Sequence, residues 1–177
     1  FLSEDLRMYV PGVNNFSSTK PHLHHISSAR YNHKKELIVG FFKQQRILNI
    51  HKWTQIGSRM DSPVHDIQII GDEVIWTTIS GKVYSSTNDQ PIVNLNHHYS
   101  SVGWVRGLYF TQKYFLIGIT SVRKSNSNFF NILTDSNLGS TNAKVILYDS
   151  KNQSVSSEIV LPNPESRKIY SIIELKS

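Results

Sequence analysis

The chain contains no cysteine, and this removes disulfides, cysteine-bound zinc and thiol nucleophiles together. No run of 18 apolar residues occurs, so no helical membrane span is expected. Phe1-Leu2-Ser3-Glu4-Asp5 has neither the basic start nor the apolar stretch of a signal peptide, which favours the cytoplasm. The first residue is Phe and not Met, which points to a processed or truncated chain. Charged residues make up only 18% of the sequence and helical periodicity is nearly absent, which excludes a coiled coil. There is no Gly-rich phosphate loop, no Gly-x-Ser-x-Gly, no His-Glu-x-x-His and no Asp-x-Asp calcium loop. Acidic residues suited to glycoside hydrolysis are also hard to pair, since Asp61, Asp66 and Asp72-Glu73 are all local to one stretch.

What remains is an apolar, aromatic chain of 177 residues, with 8 Phe, 8 Tyr and 3 Trp, long enough for one domain with a sizeable core. Its net charge of +6 raises the prior for anionic partners. The basic pairs Lys34-Lys35, Arg123-Lys124 and Arg167-Lys168 are far apart, however, and no nucleic-acid motif accompanies them. Nucleic-acid binding is therefore not favoured. Asn-x-Ser sequons at Asn15 and Asn152 are expected by chance in a chain this rich in Asn and Ser.

Short β-branched and aromatic runs bounded by Gly, Asn, Asp, Ser or Pro recur along the chain, the pattern of strands joined by turns. Strands are expected at 36–42, 46–50, 74–79, 82–84, 114–120, 143–149 and 158–161. Ser80-Gly81 forms a tight turn between two of them. Three units superimpose on the anchors Ala29, Ile67 and Leu108, and a fourth begins at Tyr170 with Ile172 as its anchor; the spacings of the anchors are 38, 41 and 64 residues. The first two are the length of a four-stranded propeller blade, and the third is lengthened by a polar insertion at 124–142. That insertion is either a binding loop or a tolerated surface loop. The expected fold is all-β and β-propeller-like, with about three to four blades of four antiparallel strands over residues 21–175. Residues 1–20 form an arm or partial blade strand at Leu6–Val10. The ring closes with a reduced fourth blade, is completed by another chain, or belongs to a longer protein.

Gly103-Trp104-Val105-Arg106-Gly107-Leu108, followed by Phe115 to Arg123, resembles an uncharacterised bacterial propeller family. The His-rich stretch Pro21 to Ser28 and the segments Ile159–Pro162 and Ile169–Ile172 are similar to the strand entry and closing strands of that family. The resemblance implies a fold related to quinoprotein-like and NHL-like repeats, and it implies no activity.

In a propeller the inner-strand starts converge at one mouth of the central channel. The superposition places Ser27, His65, Arg106 and Tyr170 there. One reading is a polar pocket for an anionic or polyhydroxylated ligand, with Arg106 as charge partner and Asp66 and Trp104 beside it. The other is that inner-strand polar groups bond neighbouring blades and only hold the ring together. His22 and His24 share one face of an extended strand, and with His25 and His65 they are the candidate ligands for a divalent metal that Asp66 would orient. Propellers of the virginiamycin-B-lyase type are similar in using inner-strand histidines with a magnesium ion. His97-His98 is expected in a turn, and Trp53, Trp76 and Trp104 are expected to pack between sheets.

Two functions follow. The first is a non-catalytic binding and assembly module that meets a protein partner, a copy of itself or a small polar ligand at the strand-start face. The second is a metal-dependent lyase or hydrolase with His24, His65 and Arg106 at the mouth.

Overall fold

The computed structural model describes residues 25–58, 60–100, 102–121, 142–162, 169 and 172–173. Their architecture is three four-stranded antiparallel sheets, each a meander of consecutive strands. The first holds β1 (Ile26–Tyr31), β2 (Leu37–Phe41), β3 (Arg46–Asn49) and β4 (Thr54–Ile56). The second holds β5 (Val64–Ile70), β6 (Glu73–Thr78), β7 (Lys82–Ser85) and β8 (Asn88–Asn94), followed by a 3₁₀ turn at Leu95–His97. The third holds β9 (Trp104–Phe110), β10 (Tyr114–Thr120), β11 (Lys144–Asp149) and β12 (Ser154–Val160). The first strand of each sheet, β1, β5 or β9, lies at one edge, and these three inner strands are successive neighbours.

Local chemistry explains the hairpins. Gly71 (φ +61°) and Asp72 make the two-residue turn between β5 and β6, which needs a left-handed first residue. Gly81 (φ +90°) ends the β6–β7 turn. The carboxamide of Asn49 accepts from the amides of His51 and Lys52, and the carboxylate of Asp149 accepts from those of Lys151 and Asn152. These two buried residues initiate the same turn in the first and third sheets.

The core lies between sheets. Ile38, Ile47, Val64, Ile67, Val74 and Trp76 fill the space between the first and second. Ile75, Val83, Val93, Val105, Leu108, Ile117 and Ile146 fill the space between the second and third. The middle sheet is thus covered on both faces, so β6 is buried without alternation from Val74 to Thr78.

The three anchors occupy one structural position: Ala29 pairs with Val39, Ile67 with Trp76 and Leu108 with Ile117. A glycine in the second strand makes room for the next blade. A side chain at Gly40 would meet Ile67 at 3.0 Å and Val64 at 3.2 Å. The same relation is found after the third sheet, where Gly107 lies against Ile172 and Gly118 against Ile169. The Thr120 hydroxyl also donates to the carbonyl of Ile169 and accepts from its amide, both at 3.1 Å. Ile169 and Ile172 therefore sit against the third sheet as Val64 and Ile67 sit against the first. This is a propeller arc of three blades with the start of a fourth.

Two expectations need amendment. The outermost strands β4 and β8 were not legible, and β12 begins at Ser154, well before 158. Trp53 is 61% exposed, because it occupies a left-handed position (φ +53°) at the tip of the β3–β4 hairpin, outside the sheets. The strand expected at Leu6–Val10, the whole arm 1–20, Arg123-Lys124, Arg167-Lys168 and nearly all of the 124–142 insertion lie outside the described residues.

Candidate functional site at the inner-strand starts

Each inner strand is irregular at the same place. The register slips by one residue between Ile26 and Ser28, between Val64 and Ile67, and between Val105 and Gly107. The extra residue falls at Ser27, at His65–Asp66 and at Arg106. A bulge re-aims the side chain it carries and is favoured at the rims of closed β structures. Three of the four positions picked out by superposition are thus the bulge positions; the fourth, Tyr170, lies outside the described residues.

An aromatic and basic cluster gathers at this end. Phe42, buried in the β2–β3 turn, is its hub. The ring of His25 lies 5.0 Å from it, the ring of Trp104 6.1 Å and the ring of His65 6.3 Å, the last edge-on. The guanidinium of Arg106 sits 4.9 Å from the centre of the Trp104 ring, a cation–π arrangement. Arg46, which opens β3 opposite Phe41, is a second basic residue at the same end of the sheet. Phe42 was missed in the sequence. The signal was the pair Phe41-Phe42, where alternation forces two adjacent rings to opposite sides.

Burial lowers the pKa of His65 from 6.5 to about 4, with the positive charges of Arg106 and His25 adding to the effect. Its imidazole is neutral at pH 7, and its Nδ1 is buried with no hydrogen-bond partner among the described residues.

The β2–β3 turn, the β6–β7 turn and the β10–β11 connection all open at this mouth, because strand direction alternates within each meander. Thr120 pairs with Trp104, and Lys144 pairs with Ile119. The insertion between β10 and β11 therefore departs from and returns to the rim of the cluster.

Asp66 has a different task. One carboxylate oxygen accepts from the amide of Ile67 (2.9 Å), the hydroxyl of Ser28 (3.3 Å) and the guanidinium of Arg30 (3.4 Å). The other accepts from the amide of Leu108 at 3.0 Å. Two residues on, the side-chain carbonyl of Gln68 accepts from the amide of Phe110. Side chains two apart on β5 thus satisfy amides two apart on the edge strand β9. For Asp66 the ring-holding reading describes the observed bonds, and all three blades meet at its carboxylate. Burial raises its pKa above 3.8, opposed by the Leu108 amide and by Arg30.

The metal reading has little support here. Among the described residues no three His, Asp or Glu side chains gather into a set that could hold an ion. His25 and His65 both lie against Phe42, while His22 and His24 are outside the described residues. His97 contacts the Asn94 carboxamide at 3.0 Å beside the 3₁₀ turn, as expected of a turn residue. No described helix is long and apolar enough to cross a membrane.

No family model and no curated protein matches the sequence. Among solved structures the chain resembles the computationally designed protein Ika4 (13% identity, TM-score 0.54), covering 90% of this chain and 85% of that one. It also resembles the designed protein Ika8 (12% identity, TM-score 0.54), covering 89% of this chain but only 42% of that one. The β-propeller domain of Cps50 (Swd1) from Myceliophteria thermophila is similar at 8% identity and a TM-score of 0.47, covering 78% of this chain and 44% of that one. Identities this low concern the fold alone. The chain spans about two fifths of Ika8 and most of Ika4.

Proposed function

We propose that this chain is a non-catalytic β-propeller-like binding and assembly module, and that its partner or ligand is met at the inner-strand starts. The observation that carries this reading is the repeated bulge, which turns His65 and Arg106 toward one mouth, where half-buried Trp104 supplies apolar contact area over the buried ring of Phe42. Aromatic rings beside guanidinium groups are what interface hot spots are made of. Arg46, Arg106 and the overall charge of +6 suit an anionic group on the partner, either an acidic protein segment or a small polar anion. Membership of the bacterial family with quinoprotein-like and NHL-like repeats, and a place for Tyr170 in the same pocket, form part of the proposal.

Titration with citrate, inorganic phosphate and a poly-glutamate peptide, followed by tryptophan fluorescence and by the His65 ring signals in NMR, tests it. Saturable shifts that disappear in Arg106→Ala, with the melting temperature unchanged, are the expected result. Turnover of any substrate that vanishes in His65→Ala would refute the non-catalytic reading. The alternative, a metal-dependent lyase or hydrolase using inner-strand histidines, requires a divalent ion to co-purify with the chain.

A further inference from the structure

The turn that Asn49 and Asp149 initiate is built twice, and only one copy carries an aromatic residue. The residue before the next strand is left-handed in both, Trp53 at φ +53° and Gln153 at φ +48°. Such a backbone is costly for any residue but glycine, and most of all for a bulky one. The third sheet fills the position with polar Gln153, whereas the first fills it with a Trp that stays largely exposed. The matching turn of the second sheet is only Ser86-Thr87. A large ring that neither suits its backbone nor packs in a core is placed for contact outside the chain.

Its surroundings define that contact. The β1–β2 and β3–β4 turns lie at one end of the first sheet, opposite the mouth. They are tied together, because Lys52 pairs with Glu36 at 2.7 Å and the Leu37 amide donates to Nδ1 of His51 at 2.9 Å. The exposed cationic and aromatic side chains of this end are Tyr31, Lys34, Lys35, Lys52 and Trp53. The one carboxylate of these turns, Glu36, is 16% exposed and is taken up by Lys52. Asp72, from the second sheet, pairs with Lys34 at 2.9 Å, which leaves Lys35 as the excess cation. Turn tips are convex, so a flat surface meets several of them at once, whereas an extended peptide needs a groove. Trp and Tyr are the side chains that sit at the headgroup level of a bilayer. Each lysine beside an anionic leaflet strengthens attachment about fivefold.

We infer that this end of the first blade is a peripheral contact for an anionic lipid bilayer, with Trp53 entering the headgroup layer and Lys35 facing the lipid charge. Contact of this kind uses the end opposite the mouth and leaves the proposed ligand-binding end open to solvent.

Co-sedimentation of the full 177-residue chain with vesicles tests the inference. One set is phosphatidylcholine alone, and the other is phosphatidylcholine and phosphatidylserine in equal parts. The expected result is binding to the mixed vesicles about fivefold or more tighter than to the neutral ones, with a blue shift of tryptophan emission. Trp53→Gln, which copies the residue of the equivalent turn, should remove the emission shift and weaken binding about tenfold. Lys35→Glu should remove the preference for the charged vesicles. Both variants replace exposed side chains, and circular dichroism checks that the fold is kept. Absence of the unmodified chain from the mixed-vesicle pellet would overturn the inference. Undiminished binding by Trp53→Gln would overturn it as well, because the lipid contact would then lie elsewhere on the chain.

Discussion

Replacing Asp66 with Ala should be among the most damaging single changes outside the apolar core. The residue is 3% exposed, and its carboxylate satisfies two buried amides, those of Ile67 and Leu108, the latter in an edge strand of the neighbouring blade. A buried amide left without a partner costs about 1–3 kcal/mol, so the two together cost about 2–6 kcal/mol. Against this stands relief from burying a charge, the same desolvation that raises the Asp66 pKa. The ion pair with Arg30 adds little, since the guanidinium is 45% exposed and such pairs contribute about 0–1 kcal/mol. A net loss of about 3 kcal/mol follows, or about 6–12 °C in melting temperature for a domain of this size. Urea unfolding followed by the fluorescence of buried Trp76 and by circular dichroism would measure it. Asp66→Asn keeps one acceptor and should lose about half as much. Arg30→Ala should lose under about 1 kcal/mol. The reasoning fails if Asp66→Ala stays within about 1 kcal/mol of the parent. It also fails if Arg30→Ala is equally costly, because the ion pair and not the amides would then be the source of stability.

Three further outcomes can be checked. A side chain at Gly57 (φ +72°) would come within 2.6 Å of the Trp76 ring, whereas one at Gly71 (φ +61°) would meet open space. Gly71→Ala should therefore lose only the conformational cost of about 1–2 kcal/mol, and Gly57→Ala clearly more, as thermal melts would show. His65 is held neutral in the fold down to about pH 4 but titrates near 6.5 when unfolded, so it should withdraw stability as the pH falls from 6.5 to 4. Asp66, with a raised pKa, acts in the opposite sense, its contribution being lost as the pH rises through its folded value. His65→Phe should accordingly flatten or reverse the slope of unfolding free energy over pH 4–6.5; an unchanged slope would contradict the assignment.

The parts of the fold legible in the sequence are those buried on two sides. Strands β6 and β10 carry apolar runs because a blade or the start of one covers both faces, and their limits were read within about a residue. The outer strands β4, β8 and β12 are largely exposed, so burial writes no alternation into them. Pro91 lies in β8, an edge strand, where a missing amide donor is tolerated. The site was half legible. Superposing Ala29, Ile67 and Leu108 put Ser27, His65 and Arg106 at equivalent positions, and those are the positions where the bulge repeats in the three inner strands. The superposition could not separate His65, which turns to the mouth, from Asp66 next to it, which turns to the neighbouring blade. That division depends on which β9 amides lack a sheet partner, and amides leave no mark in a sequence.

The β10–β11 connection has a consequence for how such a module can change. Ile119 and Lys144 are cross-strand partners although 25 positions separate them, while Thr78 and Lys82, in the corresponding hairpin, are only four positions apart. Closing the longer span costs only about 2 kcal/mol more in chain entropy, since that cost grows with the logarithm of length. The strands on either side keep their pairing regardless. The β10–β11 ladder is therefore held by its own cross-strand partners and not by a tight turn of the kind that joins Thr78 to Lys82. A reporter peptide or a foreign recognition loop grafted between Ser121 and Ala143 would be presented at the same rim.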